Sequence, residues 1–314
     1  MRETGSLASV AAKLAAERGF AEGVGSIERG LRRLRDRGQR DGGVWGRRLL
    51  RAFGLPAEVD DRVRWMGQYH TRFTDLPTPL CRELLLPWDR PPVSESPARV
   101  WIQLGLASVA LRQRRAEIAA AHLNQAATVG AAMPRAAAVE LHLVRAFLLA
   151  RADPSQAAEC LARADTALTT GDLDPDTAAC LRARLVDQRA YGLNKPRTGP
   201  ADPAAALAAY EAIPADGPVF ARCRRHNGMG WSLLGLGRRD EALEHARHSV
   251  REAGDAGSLR LRAMALNLLA AAASGDAAKS AGRRAASIAQ GLQDEALAAR
   301  YARHVPDPDA ANDE

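Results

Sequence analysis

The chain has 314 residues, enough for two ordinary domains or one elongated repeat array with a substantial core. Alanine, leucine and arginine dominate and β-branched runs are nearly absent, which favours helix almost throughout. Net charge is +7, and residues 1–51, with twelve Lys/Arg against six Asp/Glu, carry +6 of it, so an acidic partner such as nucleic acid is expected at the N-terminal end.

No apolar run reaches the ~18 residues of a membrane span, and the N-terminus lacks the apolar core of a signal peptide. A cytoplasmic protein without a membrane contact is expected. Cys81, Cys160, Cys180 and Cys223 stand singly with no CxxC pair, and read as reduced, mostly buried thiols.

In chain order, residues 5–18 predict a helix with Leu7, Val10, Ala11 and Leu14 inward. After a turn through 19–25, Ser26 is the expected N-cap of a second helix whose inward face is Ile27, Leu31 and Leu34. Its remaining surface carries Arg29, Arg32, Arg33, Arg37 and Arg40. A third helix, VWGRRLLRAFG, ends at Gly54. Three short helices with an arginine-rich member resemble a helix-turn-helix (HTH) DNA-binding domain over roughly 50 residues. The resemblance implies that the second helix enters the major groove, with Arg29, Arg32, Arg33, Arg37 and Arg40 reaching phosphates and base edges. A turn longer than the family's, and Gly30 inside the proposed recognition helix, depart from that pattern. A basic helical cap or a protein-contact surface is the competing reading.

Residues 56–73 predict an amphipathic helix with Val59, Val63 and Met66 on one stripe and Trp65, Tyr69 and Phe73 at successive four-residue steps. With Trp88 they suggest a local core joining two domains, or a ligand platform. A short helix near 78–86 follows. The four prolines of PWDRPPVSESP, residues 87–97, then predict a stiff connector.

Helical pairs begin at Ala98. The helix at 98–114 contains Trp101, Leu104 and Gly105, and is followed by 116–129 with Ala119 and Ala126. Next come 136–152 with 155–170, then 176–194 with an insertion and the helix AAALAAYEAIP. The stretch 218–254 is the clearest unit: Met229, Leu233 and Leu236 form a stripe, Gly237 breaks the helix, and Ala242, Leu243, Ala246 and Val250 form the next face. Gly230, Ala242 and Ser249 stand where two helices would pack closely. The pair 257–274 with 276–291 follows, and 294–304 reads as a polar cap. The acidic tail 306–314 reads as disordered.

The W-x2-L-G of Trp101, Leu104 and Gly105, and Gly230, Gly237 and Ala242 in the 218–254 unit, resemble the tetratricopeptide repeat (TPR). His226 and Met229 replace that family's usual tryptophan and leucine. The resemblance implies an all-α protein, an α-solenoid of about five TPR-like helix pairs behind a small basic helical domain. The expected boundaries are 1–56, 57–97, 98–304 and 305–314.

No Gly-rich phosphate loop, nucleophile elbow or HExxH signature occurs, so neither catalysis nor a cofactor is expected. His245 and His248 beside Glu244 read as a solvated face and not as metal ligands. In a TPR array, polar residues of first helices line the groove. Arg184, Gln188, Tyr191 and Asn194 on one, and Arg224, Asn227 and Trp231 on the next, are the candidate contacts to an extended peptide or protein partner. An HTH domain followed by TPRs resembles a group of regulators that sense a peptide or protein partner and control binding to double-stranded DNA. The alternative is an interaction scaffold without nucleic-acid binding. A homodimer is compatible with both.

Overall fold

Three- and four-residue spacing of apolar side chains at the N-terminus yields α1 (Leu7–Ala16), with Val10, Ala11 and Leu14 buried. The computed structural model describes residues 6–16, 22–37, 43–170, 173–196 and 199–304. Arg40 and the expected acidic tail lie outside the described residues, as does the Arg37 side chain. Helix α2 (Val24–Arg37) buries Ile27 and Leu31 against α1 and α3 (Gly43–Phe53). The expected cap at Ser26 is corrected. The backbone N–H groups of Ser26 and Ile27 both donate to the Gly23 carbonyl, so the helix opens at Val24 and Ser26 is exposed within its first turn. Gly30 has a packing reason: a Cβ there would lie 2.3 Å from the Trp45 ring, so glycine lets α2 and α3 meet. The bundle ends at Gly54, whose φ of +72° glycine adopts without steric cost.

The helix expected over 56–73 is shorter, α4 (Ala57–Gly67), with Val63 and Met66 buried. Gly67 abuts the Trp101 backbone, where a Cβ would lie 2.3 Å from the carbonyl oxygen. Gln68 is already extended, and the Thr71 hydroxyl donates to the Trp65 carbonyl at 2.6 Å. Tyr69 therefore leaves the helical stripe of Trp65, and a 3-10 turn follows at Arg72–Asp75. Helix α5 (Thr78–Leu85) occupies the predicted place. The proline-rich stretch is no free-standing spacer. Val93 is buried in the same core as Trp101 and Phe73, and Asp89 accepts from the Gln103 amide at 2.8 Å.

The paired helices follow as α6 (Arg99–Arg112), α7 (Ala116–Ala127), α8 (Arg135–Leu149), α9 (Pro154–Thr169), α10 (Pro175–Asn194) and α11 (Pro203–Glu211). Then come α12 (Val219–Gly235), α13 (Arg239–Asp255), α14 (Leu259–Ala272), α15 (Gly275–Gly291) and α16 (Glu295–Tyr301). The protein is all-α: among the described residues there are sixteen α-helices and no strand. No described helix is long and apolar enough to cross a membrane. Three helices open on Asp-Pro, with Asp153, Asp174 and Asp202 each accepting a backbone N–H three residues on at 2.9 Å. The carboxylate caps the helix and proline's fixed φ suits its first position, each cap contributing ~1 kcal/mol.

Each helix from α6 onward packs against its successor, and α6, α8, α10, α12 and α14 also pack in sequence against one another. Small residues set the approach, as expected: Ala242 and Ser249 are buried, and a Cβ on Gly230 would lie 2.5 Å from Leu268. Leu236 departs from its predicted stripe, lying 38% exposed just past the end of α12. The ends of the body also meet. Helix α16 packs on α6, and the Thr78 N–H donates to the Leu292 carbonyl at 2.8 Å.

Gly67→Ala should lower stability by ~1–3 kcal/mol, because its neighbour is immobile backbone. Gly192→Ala, with nothing within 4 Å, should raise it by ~0.5–1 kcal/mol through helix propensity. Urea unfolding of both variants measures the contrast.

Candidate functional site

The extended residues after α4 bring Tyr69 against three successive first helices. Its phenolic oxygen accepts from Arg260 Nε at 3.1 Å and from an Arg224 terminal nitrogen at 3.3 Å. The guanidinium carbons of Arg184, Arg260 and Arg224 stand 4.5, 5.3 and 5.8 Å from the centre of its ring. Each arginine has a carboxylate partner: Arg184 pairs with Glu140 at 2.5 Å, Arg224 with Asp187 at 2.6 Å, and Arg260 with Asp294. Asp294 is shared with Arg112, at 3.1 Å, and Arg72 pairs with Asp75 at 3.3 Å. Arg72, Arg112, Arg184, Arg224 and Arg260 thus face Asp75, Glu140, Asp187 and Asp294, one positive charge in excess. Burial opposes ionisation of Tyr69, but Arg260, Arg224 and Arg184 outweigh it and bring the phenol down to about 7. Asp294 is likewise held below the ordinary carboxylate range, against burial, by Arg260, the Leu297 N–H and Arg112.

Beside Tyr69 opens a cavity of about 230 Å³. Arg72, Arg224 and Arg260 give it cationic walls, Phe220, Val219 and Leu261 give it apolar ones, and Asp75 and His70 face it from the Tyr69 segment. Asp75 accepts from the Ser258 hydroxyl at 3.1 Å and the Arg260 backbone N–H at 2.8 Å, so it caps α14 from outside that helix. Burial, helped by Arg184, lowers His70 to about 4 and outweighs Asp174.

The seven residues expected to line a groove do fall on adjacent helices, α10 and α12, but most of their polar groups are engaged within the protein. Arg184 and Arg224 are buried in the Tyr69 cluster. Gln188 donates to the Leu143 carbonyl at 3.0 Å, Asn194 to the Ser232 hydroxyl at 3.0 Å, and Asn227 to the Met264 carbonyl at 3.2 Å. These bonds tie each first helix to its neighbour. Tyr191 is 53% exposed, and Trp231 is half-buried with the Lys195 ammonium 5.4 Å from its ring centre. In the bundle α1–α3, Arg29, Arg32 and Arg33 are exposed, as are Arg47 and Arg51 on α3. Arg32 pairs with Glu28 at 2.7 Å and Arg48 with Glu22 at 2.9 Å.

His245 is more than a solvated residue. Its Nδ1 stands 2.9 Å from His226 Nδ1, and His248 stacks on His226 with ring centres 5.1 Å apart. Among the described residues no group of three or more His, Cys, Asp or Glu is placed to hold a metal ion. All four cysteines are buried free thiols, and burial pushes Cys180 and Cys223 up to about 12.

The sequence reading missed Tyr69 as a partner of the arginines and Asp294 as their shared counter-ion. One signal was available: arginine recurs on successive first helices, more polar than a simple packing face requires. Comparison with protein-family models finds no match, and comparison with curated proteins finds none either.

Phenolate absorbance should rise with a midpoint near pH 7 and disappear in Tyr69→Phe. Tyr210 and Tyr301, both raised by burial, stay silent in that range. Between about 7 and the ordinary tyrosine value of 10.0 the folded chain holds fewer protons here than the unfolded one, so the stability Tyr69 contributes grows with pH and is lost as pH falls through 7. A wild-type difference titration lacking any component below the ordinary tyrosine range contradicts the assignment.

Proposed function

We propose that the protein is a cytoplasmic regulator in which the bundle α1–α3 binds double-stranded DNA and the TPR-like helical body receives a peptide or protein partner that controls it. The observation that carries the reading is the division of α2 and α3 into two faces. Ile27 and Leu31 are buried in a core formed by α1–α3 alone, while Arg29, Arg32, Arg33, Arg47 and Arg51 are exposed. A self-contained bundle with a guanidinium-rich outer surface suits the phosphate backbone, where arginine neutralises charge and releases counterions. On the body, exposed Tyr191 and Lys195 with half-buried Trp231 form the corner best suited to a partner, since the other groove candidates are hydrogen-bonded internally. The scaffold alternative draws on the ion pairs of Arg32 and Arg48, which leave fewer cations for an external anion.

Duplex-DNA affinity of the full chain, measured across a salt series, tests the proposal. The logarithm of affinity should fall steeply with log salt, at ~0.9 counterion per phosphate neutralised. Changing Arg29, Arg33, Arg47 and Arg51 together to alanine should flatten the slope and abolish most binding. Binding that is insensitive to salt, or that survives the quadruple change, favours the scaffold reading instead.

A further inference from the structure

The N-terminal end of α12 opens on the cavity beside Tyr69. Pro218 occupies its cap position without a side-chain hydrogen bond, and Val219 and Phe220 line the wall. First-turn amides have no intrahelical acceptor, so an uncapped helix start attracts negative charge. The equivalent end of α14 is different, being closed by Ser258 and Asp75. A second observation is independent of the helix. Arg224, only 7% exposed, lines the same cavity, and its buried Nε has no hydrogen-bond partner although its terminal nitrogens hold Asp187 and Tyr69. A buried, unpaired guanidinium N–H is costly unless something accepts from it.

We propose that this cavity binds a small organic anion, a carboxylate or phosphate head on a short apolar body. The head sits between the α12 amides and Arg224, and the body lies against Phe220, Val219 and Leu261. With Tyr69 neutral the surrounding cluster carries one positive charge in excess, which matches a head of low charge. Size argues for the apolar body: a water occupies ~30 Å³ of liquid, so a cavity of about 230 Å³ exceeds what an inorganic ion needs. The site is independent of the DNA reading and stands or falls without it.

The test uses untagged full-length protein, titrated calorimetrically with hexanoate, benzoate and phenyl phosphate against chloride of equal ionic strength. Acetate and inorganic phosphate serve as bodiless controls. Saturable binding is expected for at least one organic anion, at least tenfold tighter than its bodiless control, with a loss of phenolate absorbance because an anion among the arginines favours neutral Tyr69. Which of the carboxylates or phenyl phosphate binds tightest identifies the head. Tyr69→Phe should still bind saturably and lose the spectral change, and Arg224→Gln should weaken binding at least tenfold. If Arg224→Gln loses its helical dichroism, Val219→Phe, which fills the cavity from its apolar wall, must abolish binding instead. Absence of saturable binding, equal affinity for the bodiless controls, or full binding by folded Val219→Phe overturns the proposal.

Discussion

The buried carboxylate of Asp294 is the interaction on which the body depends. Its side chain has no solvent exposure. One oxygen receives both Arg112 from α6 and Arg260 from α14, and the other caps α16 through the Leu297 N–H at 3.0 Å. A buried ion pair is weak evidence for net stability, because desolvation offsets much of the attraction. Removing one partner is different, and costs ~3–5 kcal/mol by leaving a charge unpaired. Asp294 therefore fixes an arrangement more than it adds to a sum. It obliges the start of the paired helices and their end to meet, and the segment from Gln68 to Thr78 is held between them. Arg112 donates to the Leu76 carbonyl at 2.9 Å, and Arg72 to the Ala256 carbonyl at 3.1 Å.

The same logic continues along the first helices. Glu140 on α8 pairs with Arg184 on α10, Asp187 on α10 with Arg224 on α12, and Asn227 on α12 bonds the Met264 carbonyl on α14. Each link is polar, at least partly buried and directional, whereas alanine-rich packing between these helices is permissive about sliding. Buried polar networks of this kind specify one register. Tyr69 lies where three of the cations converge, so the site and the register share the same residues. Changes in charge at the site, by ionisation of the phenol or arrival of an anion, act directly on the bonds that align the helices.

Much of the fold was legible because its signals are local. Apolar periodicity gave the helix pairs, Gly237 with φ +76° marked the break between α12 and α13, and the small residues Gly230, Ala242 and Ser249 lay at close approaches. The Asp-Pro starts of α9, α10 and α11 are equally local. What escaped depends on distant residues. Gln68 to Phe73 continues the amphipathic pattern of α4, whereas the Trp101 backbone that abuts Gly67, where the helix ends, is distant in sequence. The polar residues of α10 and α12 were visible as a group on adjacent helices, but each has its partner on a different helix from its own: Glu140 for Arg184, Asp187 for Arg224, Ser232 for Asn194 and the Met264 carbonyl for Asn227. A polar face without its counter-ions reads as a groove, and with them it reads as the joint between helices.

Whether one buried carboxylate joins the two ends of the body is decided by amide hydrogen exchange in Asp294→Asn. Asparagine keeps the size of the side chain and an oxygen for the α16 cap while removing the charge, so loss of the cap is not the cause of any change. Faster exchange is expected in two separate places, residues 259–301 and residues 68–81. Faster exchange confined to the neighbourhood of 294, with 68–81 as protected as in the wild type, would contradict it.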